Sequence, residues 1–254
     1  EFVSMDMNLK DKRILITGGT SGIGLAAAKL FLAEGARVVI MGRSVSRGKQ
    51  ALADIANSNC CFFSGDVRLL ADCQKVVQEM VLKLGGLDVL INSAGIYLEQ
   101  AIEDTTVEQL DDILATNFKG TYYMCQSAMS LLKASHGVIV NVASDAGIKG
   151  NYYCTAYCAS KGAVVLFTKA LALETAGFGM RVNAIAPGDI MTPLTEAQLA
   201  EMPDRAAGIN ELASVYPLGR IGTAKEAASA IIYLASPLSG FATGTVLSVD
   251  GGLT

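Results

Sequence analysis

Arg13-Ile14-Leu15-Ile16-Thr17-Gly18-Gly19-Thr20-Ser21-Gly22-Ile23-Gly24 starts as a strand and ends as the opening of a helix. The Ile-Leu-Ile-Thr run is short, aliphatic and without polar alternation, which suits a strand buried on both faces. The glycines that follow permit a tight turn and a close backbone approach to a ligand. A turn that feeds a helix aims unpaired N–H groups and the positive end of the helix dipole at an anion. A dinucleotide pyrophosphate is held in this way. The spacing is Gly-x-x-x-Gly-x-Gly, not the commoner Gly-x-Gly-x-x-Gly.

The alternation of short apolar strands and longer helices continues along the chain. Strands are predicted at Arg13–Thr17, Arg37–Met41, Cys60–Ser64, Leu87–Asn92, Gly137–Val142, Met180–Ile185 and Thr245–Val249. Helices are predicted at Gly22–Glu34, Val45–Ala56, Leu69–Leu84, Val107–Lys133, Tyr153–Ala176 and Ala224–Ala235. This order predicts one α/β domain over residues 7–254, a doubly wound, seven-stranded parallel sheet with helices on both faces. Residues 1–6 read as a cloning remnant and a disordered start, because Glu1-Phe2-Val3-Ser4 precedes Met5. The segment 188–222 is irregular and holds Pro193, Pro203 and Pro217. It leaves the carboxyl end of a strand, where open α/β sheets bind ligands. It is expected to act as a lid, with a short helix near Thr195–Met202 whose Leu194, Leu199 and Met202 roof the pocket.

Composition narrows the function. Charged residues make up 17% of the 254 and the net charge is −4, with no basic stripe, so nucleic acid is not an expected partner. The longest apolar runs, such as 227–235, fall short of the ~20 residues of a membrane span. The six cysteines include no Cys-x-x-Cys pair and read as small buried residues of a reducing, cytoplasmic setting. Two of them, Cys154 and Cys158, flank Tyr157 at helical spacing. With a single histidine, His136, and no Cys/His cluster, no transition-metal site is expected.

Tyr157 and Lys161 are four residues apart, hence on one helix face. An ammonium beside a phenol favours the phenolate, which brings a group that titrates near pH ~10 into working range. Ser144, at the end of a predicted strand, offers a hydroxyl donor where negative charge builds on a carbonyl oxygen. The second strand ends in Met41-Gly42-Arg43. An acid there would bind the adenosine ribose hydroxyls, whereas an arginine suits a ribose 2′-phosphate. NADP(H) is therefore favoured, with NAD(H) the other possibility.

From Leu9 to Gly252 the chain resembles the short-chain dehydrogenase/reductase family, in its single-domain branch. The resemblance rests on the glycine turn, Asp66-Val67, Asn92-Ser-Ala-Gly95, Asn117, Ser144, Tyr157-x-x-x-Lys161, Pro187-Gly188 and Val249-Asp-Gly-Gly252. It implies a Rossmann-type fold and a role for each matching residue. Tyr157 is implied as general acid/base and Ser144 as a partner of the substrate oxygen. Lys161 is implied to lower the Tyr157 pKa and hold the nicotinamide ribose, and Asn117 to place a relay water. Gly18, Thr20, Ser21, Gly22, Ile23 and Gly24 form the pyrophosphate turn, and Arg43 faces the ribose. Asp66 and Val67 contact the adenine, while Asn92, Ala94 and Gly95 line the cofactor floor. Pro187, Gly188, Ile190 and Thr192 surround the carboxamide. Ser93 stands where the family more often has a second asparagine. Asp145 and Tyr153 are candidates for the substrate; the other reading is a solvated loop acid for Asp145 and packing for Tyr153.

The expected function is an NADP(H)-dependent oxidoreductase on a secondary alcohol or ketone, in the reductive direction, resembling a 3-oxoacyl or small-ketone reductase. The acids Glu196, Glu201, Asp204 and Glu211 against one Arg205 favour a small, uncharged carbonyl compound. The alternative within the class is an NAD(H)-dependent sugar, polyol or hydroxysteroid dehydrogenase. The alternative of another class is a non-catalytic, cofactor-binding regulatory protein. The resemblance, together with apolar and small residues on the long helices, implies a homotetramer.

Overall fold

A computed structural model of the chain describes residues 6–254, so Glu1–Ser4, read as a cloning remnant, and Met5 lie outside the described residues. Seven parallel strands form the main sheet: β1 (Arg13–Thr17), β2 (Arg37–Gly42), β3 (Cys60–Ser64), β4 (Val89–Asn92), β5 (Val138–Val142), β6 (Arg181–Pro187) and β9 (Val246–Val249). Their spatial order is β3-β2-β1-β4-β5-β6-β9. The winding reverses between β1 and β4, where Thr17 stands level with Asn92. The crevice outside the carboxyl ends of strands at such a reversal is where open α/β sheets hold ligands.

The buried strands explain the layers. In β1, Ile14 and Ile16 point to one face, where they meet Ala27, Ala28 and Phe31 of α1 (Gly22–Ala33) and Ile231 of α9 (Ala224–Ala235). Leu15 points to the other, against Val76 and Met80 of α3 (Leu70–Leu84) and Met124 of α5 (Gly120–Ser135). Each such side chain is fully buried, and burial of one of the larger ones, Ile, Leu, Val, Met or Phe, contributes about 1.5–3 kcal/mol. This is why the sequence shows no polar alternation. The short helix α2 (Val45–Ile55) links β2 to β3.

Two expectations need correction. The predicted single helix Val107–Lys133 is α4 (Val107–Leu114), a π turn over Ala115–Lys119, and then α5. The π turn holds Asn117, whose side chain is pinned by the loop after β4. Such turns interrupt helices chiefly at functional sites, and the apolar period runs through this one unchanged. The segment 188–222 contains two helices instead of one, α7 (Pro193–Ala200) and α8 (Arg205–Ser214). It is clasped at its ends by short parallel strands β7 (Ile190–Met191) and β8 (Gly222–Thr223). Pro193 opens α7, and the Asp204 carboxylate caps α8 by accepting from the Ala206 and Ala207 N–H groups. Leu199 and Met202 lie against Gly208 of α8, so they join the two helices rather than roof the cleft. Leu194 does reach the cleft.

The helix α6 (Thr155–Thr175) carries Tyr157 and Lys161. With its following turn to Phe178 it spans 24 residues and holds an 18-residue window of mean hydropathy 1.3, long and apolar enough to cross a membrane by length and composition alone. Lys161, Lys169 and Glu174 interrupt it, so it is not an uninterrupted apolar run of that length. Ser160, Lys161, Val164, Thr168 and Thr175 on its inner face are buried in the body of the domain.

Candidate active site

The glycine turn is shaped by two close approaches. Gly18 has φ +64°, and a Cβ there would stand 2.8 Å from the Ala94 backbone. A Cβ on Gly24 would stand 2.5 Å from the Gly18 carbonyl oxygen. Glycine alone fits both positions. Ser21 is the N-cap of α1 yet makes no side-chain capping bond, so the first N–H groups of the helix stay open toward the turn. Thr17 ties this turn to the loop after β4: its Oγ1 accepts from Ser93 N at 3.1 Å and Ala94 N at 3.2 Å. These features fit a pyrophosphate at the head of α1.

A cleft of about 240 Å³ runs from this turn to α6. Of the expected cofactor residues, Gly18, Ser21, Gly22, Ile23, Ala94, Gly95, Pro187, Gly188, Ile190 and Thr192 line it, as do Ser144, Asp145, Tyr157 and Lys161. Asn117 sits just behind Gly95: a Cβ on Gly95 would be 3.3 Å from Asn117 Oδ1 and 3.5 Å from Lys161 Nζ. Its Oδ1 accepts from Ile96 N at 2.8 Å, while Nδ2 donates to Ile96 O and Ser160 Oγ, both at 3.0 Å.

Other expected residues lie away from the cleft lining. Asn92 turns into the sheet and donates to Asn141 Oδ1 at 2.9 Å, and Asn141 in turn donates to Thr168 of α6. Thr20 lies beside Gly42. Val67 packs on Gly120. Burial alone would raise the Asp66 carboxyl, but hydrogen bonds and charge from Arg68 outweigh it and hold the group low. Arg68 also pairs with Asp112. Arg43 is near enough to act on the Asp66 charge. Tyr153 is well exposed, with φ +53°, and is not part of the cleft wall.

The electrostatics differ from the expectation for an isolated Tyr–Lys pair. Lys161 Nζ lies 5.8 Å from the centre of the Tyr157 ring and donates to Val142 O at 2.9 Å. Burial pushes the Lys161 ammonium down to about 8. Burial also raises the Tyr157 phenol, opposed by the nearby Ser144 hydroxyl and helped by the charges of Asp145 and Asp189. The phenol is thus held in its protonated form. Asp145 is buried, not a solvated loop acid. Its carboxyl is raised by burial, against bonds from Ser144 and the Ala146 N–H.

Four cleft residues were not singled out from the sequence. Tyr97 meets the Tyr157 ring edge-on, with centres 5.0 Å apart. Its hydroxyl donates to Glu99 Oε2 at 2.8 Å and lies 3.2 Å from Cys154 Sγ. Asp189 and Tyr216 are joined by a 2.6 Å bond from the Asp189 N–H to the phenol oxygen. Asn151 completes this wall. The pattern Pro187-Gly-Asp189-Ile could have flagged Asp189; Tyr216 comes from a distant segment with nothing to mark it.

A doubly wound sheet with a glycine turn at its switch point, and a tyrosine and lysine in the same cleft, defines an oxidoreductase of the dinucleotide-binding class. The comparisons with known proteins agree. A family described as Enoyl-(Acyl carrier protein) reductase matches residues 18–254. The L-fucose dehydrogenase of Bos taurus is 37% identical over 251 residues, covering 98% of this chain and 92% of that one. The 3-oxoacyl acyl-carrier-protein reductase of Chlamydia muridarum is 36% identical over 253 residues, covering 98% and 100%. The ligand-free aldohexose dehydrogenase of Thermoplasma acidophilum has a TM-score of 0.88 at 32% identity, covering 97% and 95%. The chain belongs to the short-chain dehydrogenase/reductase family and is an oxidoreductase acting on CH–OH groups.

Proposed function

We propose that the chain is an NADP(H)-dependent oxidoreductase that interconverts a secondary alcohol and a ketone, working toward the alcohol. The observation that carries this reading is the convergence of Ser144, Tyr157 and Lys161 on the cleft headed by Gly18 and Gly22, with Asn117 behind Gly95. The bound nicotinamide supplies the hydride. Tyr157 gives its phenolic proton to the ketone oxygen as negative charge builds there. Ser144 shares that oxygen, and Lys161 with Asn117 keeps the proton path at the Gly95 side of the cleft. A panel of ketones, read by loss of NADPH absorbance, tests the reading; no turnover on any of them overturns it.

Cofactor choice follows from the end of β2. No acid stands there to repel a 2′-phosphate, and Arg43 supplies a cation. Gly42→Asp with Arg43→Ala is expected to reverse a preference for NADP(H) into one for NAD(H). A new Cβ at Gly42 meets Thr20 Cγ2 at 3.1 Å, so Thr20 must shift slightly and folding is checked by circular dichroism. A parent enzyme with the higher kcat/KM for NAD(H) refutes the assignment.

A second reading, an NAD(H)-dependent sugar or polyol dehydrogenase, has one observation behind it. The wall facing Tyr157 offers Asp145, Asp189 and Asn151, groups that suit additional hydroxyls. The same assay run with polyols and NAD(P) separates the two. The segment 188–222 acts as the lid in either case, through Leu194, Thr195 and Gln198 on the cleft side of α7. The homotetramer is supported by Tyr122 on α5 and by Leu166 and Leu173 on α6, large apolar groups left exposed. A monomeric mass by light scattering at micromolar concentration counts against it.

A further inference from the structure

The Ser144 hydroxyl is already in use. It has one proton, and that proton is donated to Asp145 Oδ1 at 2.9 Å. The Ala146 N–H donates to the same carboxylate oxygen at 2.7 Å and to Ser144 Oγ at 3.2 Å. An ionised carboxylate only accepts. While Asp145 is ionised, Ser144 therefore presents lone pairs to the cleft and has nothing to donate to a carbonyl oxygen. Both residues are buried at 7% exposure, so water does not readily replace the bond if the serine turns away.

We propose that Asp145 is a positioning residue that sets the direction of the Ser144 hydrogen bond. Ionised, it holds the serine proton away from the reacting oxygen; protonated, it donates to Ser144 Oγ and frees the serine proton for that oxygen. No proton leaves Ser144 in either state. The inference rests on the proposed ketone reduction, and it adds a residue to which that reading gives no part in handling the serine.

The groups facing Asp145 come from several elements. Ser144, the Ala146 N–H and Lys149 lie on its own loop, and Tyr157 on α6. Asp189 follows β6, Tyr216 follows α8 and Asp250 follows β9. Burial raises the carboxyl, Asp250 adds to the rise, and Ser144, Ala146 and Lys149 oppose it. The protonated form is thereby brought nearer to working pH.

The test is the pH profile of kcat/KM for ketone reduction in the parent, Asp145→Asn and Asp189→Asn. In the parent, kcat/KM is expected to fall about tenfold per pH unit above the Asp145 ionisation. Asp145→Asn is expected to lose this limb, because its amide donates to Ser144 at every pH; over the same range its kcat/KM changes less than about threefold. Asp189→Asn is expected to keep the limb. A limb that persists in Asp145→Asn, or that follows Asp189 instead, overturns the proposal. A second measurement does not need turnover. The carboxyl carbon of Asp145, followed by NMR in the parent and in Ser144→Ala, is expected to titrate at higher pH in the variant, which lacks the donated bond. An unchanged midpoint overturns the coupling. Failure to reduce any ketone instead overturns the proposed function, and the NMR titration still decides this inference.

Discussion

Tyr157→Phe is expected to remove nearly all turnover and to leave cofactor affinity close to that of the parent. The loss follows from chemistry: a positioned proton donor contributes about 10²–10⁴-fold, and the phenol faces the cleft as a raised-pKa acid. The ring itself stays. Its edge-on contact with Tyr97 at 5.0 Å does not involve the hydroxyl, so packing and fold are kept. Tyr97 cannot stand in, because its own hydroxyl is committed to Glu99 and lies against Cys154. The measurement is kcat alongside a fluorescence titration of the reduced cofactor. Turnover within about tenfold of the parent rejects the acid/base role, and weakened cofactor binding would mean that the phenol holds the ribose as well.

The main sheet was legible because each of its seven strands is a local signal, whereas the two-residue strands β7 and β8 are not. The Val/Ile/Leu runs of β1, β2 and β5 have no polar face to hide, and the strand limits read from them agree with the structure to within a residue or two. The proposed catalytic pair could be named from the sequence because a helix turn puts Tyr157 and Lys161 on one face, and both line the cleft. What stayed hidden depends on contacts between distant segments. The π turn at Asn117 answers to the Ile96 backbone, 21 residues earlier, and helix periodicity is blind to that. Asp145 reads as a loop acid until the C-terminal Asp250, the Asp189 loop and α6 close around it. The segment 188–222 was visible as an irregular excursion but under-resolved. Its apolar residues Leu199 and Met202 serve α8, a helix that short polar stretches around Pro203 gave no reason to expect.

Lys161 illustrates how the same burial that shapes the site weakens the fold. The unfolded chain carries a lysine of ordinary pKa, 10.5, whereas the folded site pushes it down to about 8. Moving a pKa by one costs roughly 1.4 kcal/mol, so near neutral pH the folded protein buries an ammonium at a cost of about 3 kcal/mol. The 2.9 Å bond to Val142 O is an observed partner of that amine, and losing it costs about 1 kcal/mol. Lys161→Met is therefore expected to abolish turnover and weaken cofactor binding while stabilising the fold by about 2 kcal/mol near pH 7. The sign follows from proton counts. Between about 8 and 10.5 the unfolded chain holds a proton that the folded site has released, so parent stability rises with pH across this window. The advantage of the variant should be fully present below about 8, shrink across the window and vanish or invert by its upper end. Denaturant melts of both proteins at several pH values read this directly. An advantage that does not change with pH would mean that the ammonium is held near its ordinary pKa, and that the Tyr157 phenol has a permanently charged neighbour.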